Sequence, residues 1–228
     1  MDQKKWSSYF LNQSRALSEN EETARIYSKP LNSCKKVLDI GCGEGITLQI
    51  LKEKGVFSVG ITINRDDSKK VNSKGLNVIL ADMHELPFKD ESFDGVYLKD
   101  SFEHSFAPFI ASREFSRVLK EKGKCVIVLP EERWLLEEYH FHYFTPFQLK
   151  VLLAKNNLFL KDSSFTFRYD FYVFEKNRNE KLSVNRVTDF KFFIWSFLRK
   201  RPMRMAVQAY YISRDFLWRK LGGLFNRI

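Results

Sequence analysis

Two groups of residues in this sequence have types and spacings that can do chemistry. The first is Val37-Leu38-Asp39-Ile40-Gly41-Cys42-Gly43-Glu44-Gly45, which sets three glycines at alternate positions directly after a short apolar run. Glycine lets a backbone approach a ligand where a Cβ would clash, and a helix starting after such a turn offers free N–H groups and a positive dipole. The spacing is GxGxG, not the GxGxxG of dinucleotide binders. Asp39 adds a carboxylate beside the turn, which suits a cationic ligand and repels a pyrophosphate. A tight strand-to-helix turn without any ligand would use the same glycines.

The second group is the histidines, four in all. Their ordinary pKa near neutrality makes them the default general bases. His104 follows Asp100, Ser101 and Glu103 and is the first candidate. His140 and His142 come next, in a stretch dense in aromatics and acids. Asp100 and Glu103 would orient the base or its substrate. His84 lies in a polar loop and is expected at the surface. No compact His/Asp/Glu set recurs at helix spacing and no CxxC pair occurs, so no metal site is expected.

These groups need elements to hold them. Lys36–Ile40, Val56–Ile61, Asn77–Leu80, Phe93–Leu98 and Cys125–Leu129 read as short apolar strands. Helical stretches alternate with them, at 47–51 ending near Gly55, before Asn77, and over 109–121 with Phe115, Val118 and Leu119 on one side. A further helix, 147–156, precedes two more strands, Leu158–Lys161 and Phe165–Phe174. Residues 8–28 read as a helical lead-in. Such alternation predicts an α/β fold with a parallel sheet covered on both faces.

Several of these segments together resemble class I S-adenosylmethionine-dependent methyltransferases, in the small-molecule, type 11-like branch. Asp39-Ile40-Gly41-Cys42-Gly43-Glu44-Gly45 resembles their motif I. Ala81-Asp82-Met83-His84-Glu85-Leu86-Pro87-Phe88 with Asp90 to Asp94 is similar to the third-strand exit and the loop into strand four. Leu98 to His104, then Arg117 to Lys120 with Gly123-Lys124, then His142 to Pro146 with Leu149 and Leu153, follow in the family's order over roughly residues 30–175. The resemblance implies a Rossmann-like, seven-stranded, mostly parallel sheet of order 3-2-1-4-5-7-6 with helices on both faces. It also implies S-adenosylmethionine as cofactor and S-adenosylhomocysteine as product. Asp39 and the Gly41-Cys42-Gly43 loop would lie along the methionine and ribose, Asp82 would accept from the adenine amino group, and Met83 would pack on the ring. Leu98 and Lys99 would line the sulfur by their backbone. At the end of strand two, where the family usually has an acidic residue for the ribose, this chain has Thr62. A hydroxyl there lacks charge assistance, resembles the lipid-acting branches, and argues against a nicotinamide cofactor.

Charge marks a second region. The chain has 38 basic and 28 acidic residues, and from Lys176 onward the counts are 13 and 3, so the remaining 25 of each cancel over residues 1–175. A methyltransferase domain over 1–175 and a basic, aromatic, helical extension over 176–228 are expected. Phe190, Phe193, Ile194, Phe197 and Leu198 follow helical spacing among lysines and arginines, as in helices that lie on anionic membranes. A hairpin packed on the catalytic domain, or a dimer contact, would show the same pattern. The three cysteines are sparse and unpaired in spacing, and the amino-terminal residues lack a secretory apolar stretch. The expected setting is therefore cytoplasmic, with peripheral attachment at the inner membrane face through 186–228. The expected reaction is in-line methyl transfer, O-methylation foremost, to a small-molecule or lipid-linked acceptor such as a sugar, quinone or lipid head group. Two other readings stay open: an RNA methyltransferase gripping RNA with the tail, and a non-catalytic membrane scaffold of the same fold.

Overall fold

The structure is a computed structural model that describes residues 21–130, 140–166 and 169–182. The chain divides into two compact units, 1–144 with 149–182, and 145–148 with 183–228. The tail helices expected over 186–228 and the lead-in before residue 21 lie outside the described residues.

Seven strands form one sheet: β1 (Lys36–Ile40), β2 (Phe57–Thr62), β3 (Val78–Leu80), β4 (Phe93–Lys99), β5 (Leu119–Pro130), β6 (Leu158–Phe165) and β7 (Tyr169–Lys176). Their order is β3-β2-β1-β4-β5-β7-β6, as the resemblance implied. The pairs from β3 to β5 are parallel, and β7 runs antiparallel to both β5 and β6. The described helices are α1 (Glu21–Tyr27), α2 (Ile46–Glu53), α3 (Arg65–Ser73), α4 (Pro108–Val118) and α5 (Pro146–Ala154), with short 3₁₀ turns at Lys29–Leu31 and Phe102–His104.

The apolar runs of the central strands exist because both faces are covered. Successive side chains of a strand point to opposite faces. Leu38, Val96, Leu98 and Ile127 therefore join Ala111, Phe115 and Val118 of α4 and Leu153 of α5 in one core layer. Val37, Tyr97, Val126 and Val128 join Tyr27 of α1 and Leu51 of α2 in the other.

Two boundaries differ from the sequence expectation. Helix α4 stops at Val118, not near Glu121. Leu119 turns extended while its N–H still caps the Phe115 carbonyl, because its wholly buried side chain belongs to the core opposite Phe93. The stretch expected as one strand from Phe165 is a hairpin corner. The Thr166 N–H and hydroxyl both donate to the Tyr169 carbonyl, at 2.9 and 3.0 Å, so β6 ends and β7 begins there.

The loop from β3 to β4 is held by one side chain. Arg117 donates to the carbonyls of Leu86 and Phe88 at 2.9 and 2.7 Å, and to the carboxylates of Glu114 and Asp90. The Glu114 carboxylate, also taking the Leu86 N–H, keeps the guanidinium charged and is itself held below the usual carboxylate range by it. Arg117→Ala leaves two partly buried carbonyls and a carboxylate unmatched. It should cost about 2–3 kcal/mol in urea unfolding, whereas Arg113→Ala on the same helix should change little.

Candidate active site

Strand β1 has β2 on one side and β4 on the other, so the chain's winding reverses beside it. In open α/β sheets ligands bind at such a switch point, beyond the carboxyl ends of the strands. The glycine loop leaves β1 there. Gly41, Gly43 and Gly45 all have positive φ, at 76°, 49° and 82°. Gly41 allows the β1 and β4 exits to touch: a Cβ there would stand 2.7 Å from the Ser101 Cβ, and the Ser101 hydroxyl donates to the Ile40 carbonyl. Around Gly43 the space is open, with no heavy atom within 4 Å of where a Cβ would be. Asp39 is buried on β1. Cys42 turns its thiol away, packing with Leu48, Val71 and Leu76, so it contributes backbone only.

Thr62 ends β2, buried, and its hydroxyl accepts the Asn64 N–H at 3.0 Å, which leaves the hydroxyl hydrogen as its remaining donor. Asn64 was not foreseen. Its Oδ1 caps α3 through the N–H of Asp66 and Asp67, and its buried Nδ2 has no partner. A neutral donor next to Thr62, where an acid is usual, fits a diol through hydroxyl acceptors. The signal was present as an Asn before an acidic first helical turn.

Asp82 stands after β3 with its side chain half exposed. Its Oδ1 accepts both the backbone N–H of His84 at 2.8 Å and the ring Nδ1 at 2.5 Å. The other ring nitrogen of His84 meets the Ser105 hydroxyl at 2.7 Å, and the ring stacks on Phe106. His84 is thus not the surface residue that its polar loop led one to expect. Its side chain is 11% exposed and ties the β3 exit to the β4 exit. The His84 hydrogen bond holds the Asp82 carboxyl below its usual range. A carboxyl depressed in the folded state stabilises above its unfolded pKa and ceases to as pH falls through the folded one. The tie should therefore weaken below pH ~4. His84→Ala should cost about 1–2 kcal/mol of stability and loosen both loops, read as faster amide exchange at 82–86 and 105–107. Met83 packs against the main core.

Leu98 and Lys99 end β4. Leu98 is fully buried in the core. The Lys99 ammonium meets the Asp100 carboxylate and lies 4.7 Å from the centre of the Tyr169 ring. Asp100 adopts φ 48°, rare for a side-chain-bearing residue, and its Oδ1 is buried without a partner. Glu103 is 2% exposed, and neither carboxylate oxygen makes a hydrogen bond. The N–H groups of Ser101 and Glu103 favour its charge without being aligned to bond it. Burial, then the Asp100 charge, hold it well above the usual carboxylate range.

The segment after residue 139 docks on this turn, with the N–H groups of Phe141 and His142 both donating to the Glu103 carbonyl. His140 and His104 are thereby brought together, ring centres 4.9 Å apart, and Glu103 Oε1 lies 3.9 Å from His104 Nε2. One ligand atom from each of Glu103, His104 and His140 falls within 4.8 Å of the others. Residue spacing could not reveal this set, because His140 comes from a loop far along the chain from Glu103 and His104. His142 is not part of it. It stacks on Phe144, bonds the Ser105 backbone, and has its pKa lowered by burial.

Residues 38–127 match the methyltransferase-domain family, type 11. An uncharacterised protein of Methanocaldococcus jannaschii is 33% identical over 111 residues, 49% of this chain and 48% of its own length. Norajmaline N-methyltransferase of Rauvolfia serpentina is 32% identical over 123 residues, 50% of this chain and 42% of that one. The crystal structure of Burkholderia thailandensis 1,6-didemethyltoxoflavin-N1-methyltransferase, with bound 1,6-didemethyltoxoflavin and S-adenosylhomocysteine, has the same fold. It aligns with a TM-score of 0.62 at 18% identity, covering 77% of this chain and 87% of that one. The chain spans about half the length of the curated relatives it matches. The 3-2-1-4-5-7-6 sheet carries that match over residues 38–127, and over this part the chain is similar to the class I S-adenosylmethionine-dependent methyltransferases of the small-molecule, type 11-like branch.

Proposed function

We propose that this chain moves a methyl group from S-adenosylmethionine to a hydroxyl of a small-molecule acceptor with an apolar body. One juxtaposition carries the reading. Across the touching exits of β1 and β4, an open cradle over Gly43 adjoins the cluster of His104, His140 and the buried Glu103, whose carboxylate makes no hydrogen bond. The cradle suits a bulky cofactor, and the Asp39 carboxylate beside it suits a cation. Thr62 and Asn64 offer neutral partners for the ribose hydroxyls, Asp82 stands at the adenine end, and the Leu98–Lys99 backbone lies between the two sites.

The sulfonium is already activated, so alignment and exclusion of water are the main requirements. The acceptor oxygen bonds to the methyl carbon as the carbon–sulfur bond breaks. The bonding pair returns to sulfur, leaving a neutral thioether, and the hydroxyl proton passes to the cluster of Glu103, His104 and His140, with Asp100 beside it. Phe106 and Phe141 on loops, with Phe109 and Ile110 in the first turn of α4, expose 40–66% of their surface, apolar side chains suited to an apolar acceptor body. Among the described residues no helix is long and apolar enough to cross a membrane.

Calorimetric titration with S-adenosylhomocysteine, followed by transfer of labelled methyl from S-adenosylmethionine to hydroxylated aromatics, sugars and lipid-linked acceptors, tests this. One-to-one binding and a labelled small-molecule product are expected. A folded chain that does not bind S-adenosylhomocysteine overturns the reading, and label found only in RNA moves the acceptor to nucleic acid.

A further inference from the structure

We infer that Glu103, His104 and His140 form a binding site for one divalent first-row transition-metal ion of the zinc type, and that this ion activates the acceptor. The inference rests on the proposed methyl transfer only for that catalytic consequence; the metal site stands on its own geometry.

Glu103 supplies the first argument. Its side chain is all but inaccessible, and neither oxygen has a hydrogen-bonding partner. A buried carboxyl in that state is costly unless paired with a cation. Among the described residues, the lysine whose charge acts on it, Lys99, is already paired with Asp100. The second argument is His140, whose Nδ1 is likewise buried without a partner. These two orphaned groups belong to one cluster with the His104 ring, all three ligand atoms lying within 4.8 Å of one another.

Around a tetrahedral zinc with bonds of about 2.0–2.2 Å, ligand atoms sit roughly 3.3 Å apart. Glu103 and His104 are at 3.9 Å, so closure asks for small rotations of side chains. Both imidazoles are partly exposed and able to make them, while the carboxylate is fixed. The backbone has positioned the set in advance, because Phe141 and His142 bond the Glu103 carbonyl. Two imidazoles and one carboxylate suit zinc and its neighbours better than magnesium or calcium, which prefer all-oxygen shells. Three protein ligands leave a position open. An acceptor hydroxyl bound there would be acidified by the ion as zinc-bound water is and would give its proton to bulk water, so the His104 ring, holding the ion, need not take it.

The test uses the full chain, stripped by a chelator and titrated with Zn²⁺ and, for its visible absorption, Co²⁺. One ion per chain should bind, raising the Tm. Glu103→Gln and His140→Ala should each weaken binding by more than the roughly 10–100-fold that loss of an outer-shell partner costs, with circular dichroism showing both variants folded. Substoichiometric binding, or binding by His140→Ala equal to that of the parent, overturns the site. S-adenosylhomocysteine is titrated into the same samples. If it binds where Zn²⁺ does not, the metal site alone fails. If Zn²⁺ binds and S-adenosylhomocysteine does not, the metal site stands and the methyl-transfer reading fails.

Discussion

Gly43→Asn should leave the fold standing and raise the dissociation constant for S-adenosylhomocysteine by two orders of magnitude or more, about 3 kcal/mol. The expectation separates backbone strain from lost space. Gly43 has φ 49°, and an added Cβ would touch nothing within 4 Å. Asn is among the side-chain-bearing residues that best tolerate the left-handed region, so the strain is about 1 kcal/mol or less, some 2–4 °C in Tm for a chain of this size. The new side chain then stands in the space assigned to the cofactor. Gly45→Asn is the contrast. Its Cβ would lie 3.1 Å from a Val71 methyl and 3.3 Å from a Leu76 methyl, with φ 82°, so its larger effect should be on stability. If Gly43→Asn binds S-adenosylhomocysteine as the parent does, the open space over the loop is not the cofactor's place.

That contrast shows how far the sequence could be read. The glycine turn and the apolar strands were legible because each is local: strand, turn and helix start lie within a dozen residues, whereas Asp82 was singled out only through the family resemblance. Sheet order came through the family resemblance, since periodicity gives strands without neighbours. Asn64 was hidden behind Thr62, because an Asn before an acidic helical turn reads as an ordinary helix cap, and its spare donor shows only in three dimensions. His84 looked like a polar loop residue because its partner, Ser105, lies on another strand's exit. The Glu103–His104–His140 set was invisible for the same reason in stronger form. Helix or strand spacing cannot report a ligand carried in by a loop whose own anchor is a pair of backbone hydrogen bonds to the Glu103 carbonyl. The tail's charge was legible, and its fold lies outside the described residues.

The second large effect is a gain of stability with a loss of function. Glu103→Leu should raise the stability of the chelator-treated protein by about 1–3 kcal/mol and abolish methyl transfer. In the metal-free chain Glu103 is buried with both oxygens unpaired, beside another acid. An apolar side chain of similar volume removes that desolvation cost and keeps the packing, and such replacements of buried charge are often neutral or stabilising by ~1–4 kcal/mol. A residue kept for structure would behave in the opposite way, since deleting a satisfied buried acid strands its partners. Transfer should fall by at least the ~10²–10⁴-fold associated with losing proton handling, while S-adenosylhomocysteine should bind as before, because the side chains proposed to hold the cofactor lie on the β1, β2 and β3 exits and β4 offers it only the Leu98–Lys99 backbone. Urea unfolding and single-turnover transfer on the same preparation measure both halves. A Glu103→Leu protein that is less stable than the parent yet turns over normally would make Glu103 a packing residue and take the acceptor site elsewhere. More stable, able to bind S-adenosylhomocysteine, and inactive, it would show that the chain keeps an unfavourable carboxyl at the β4 exit for its chemistry.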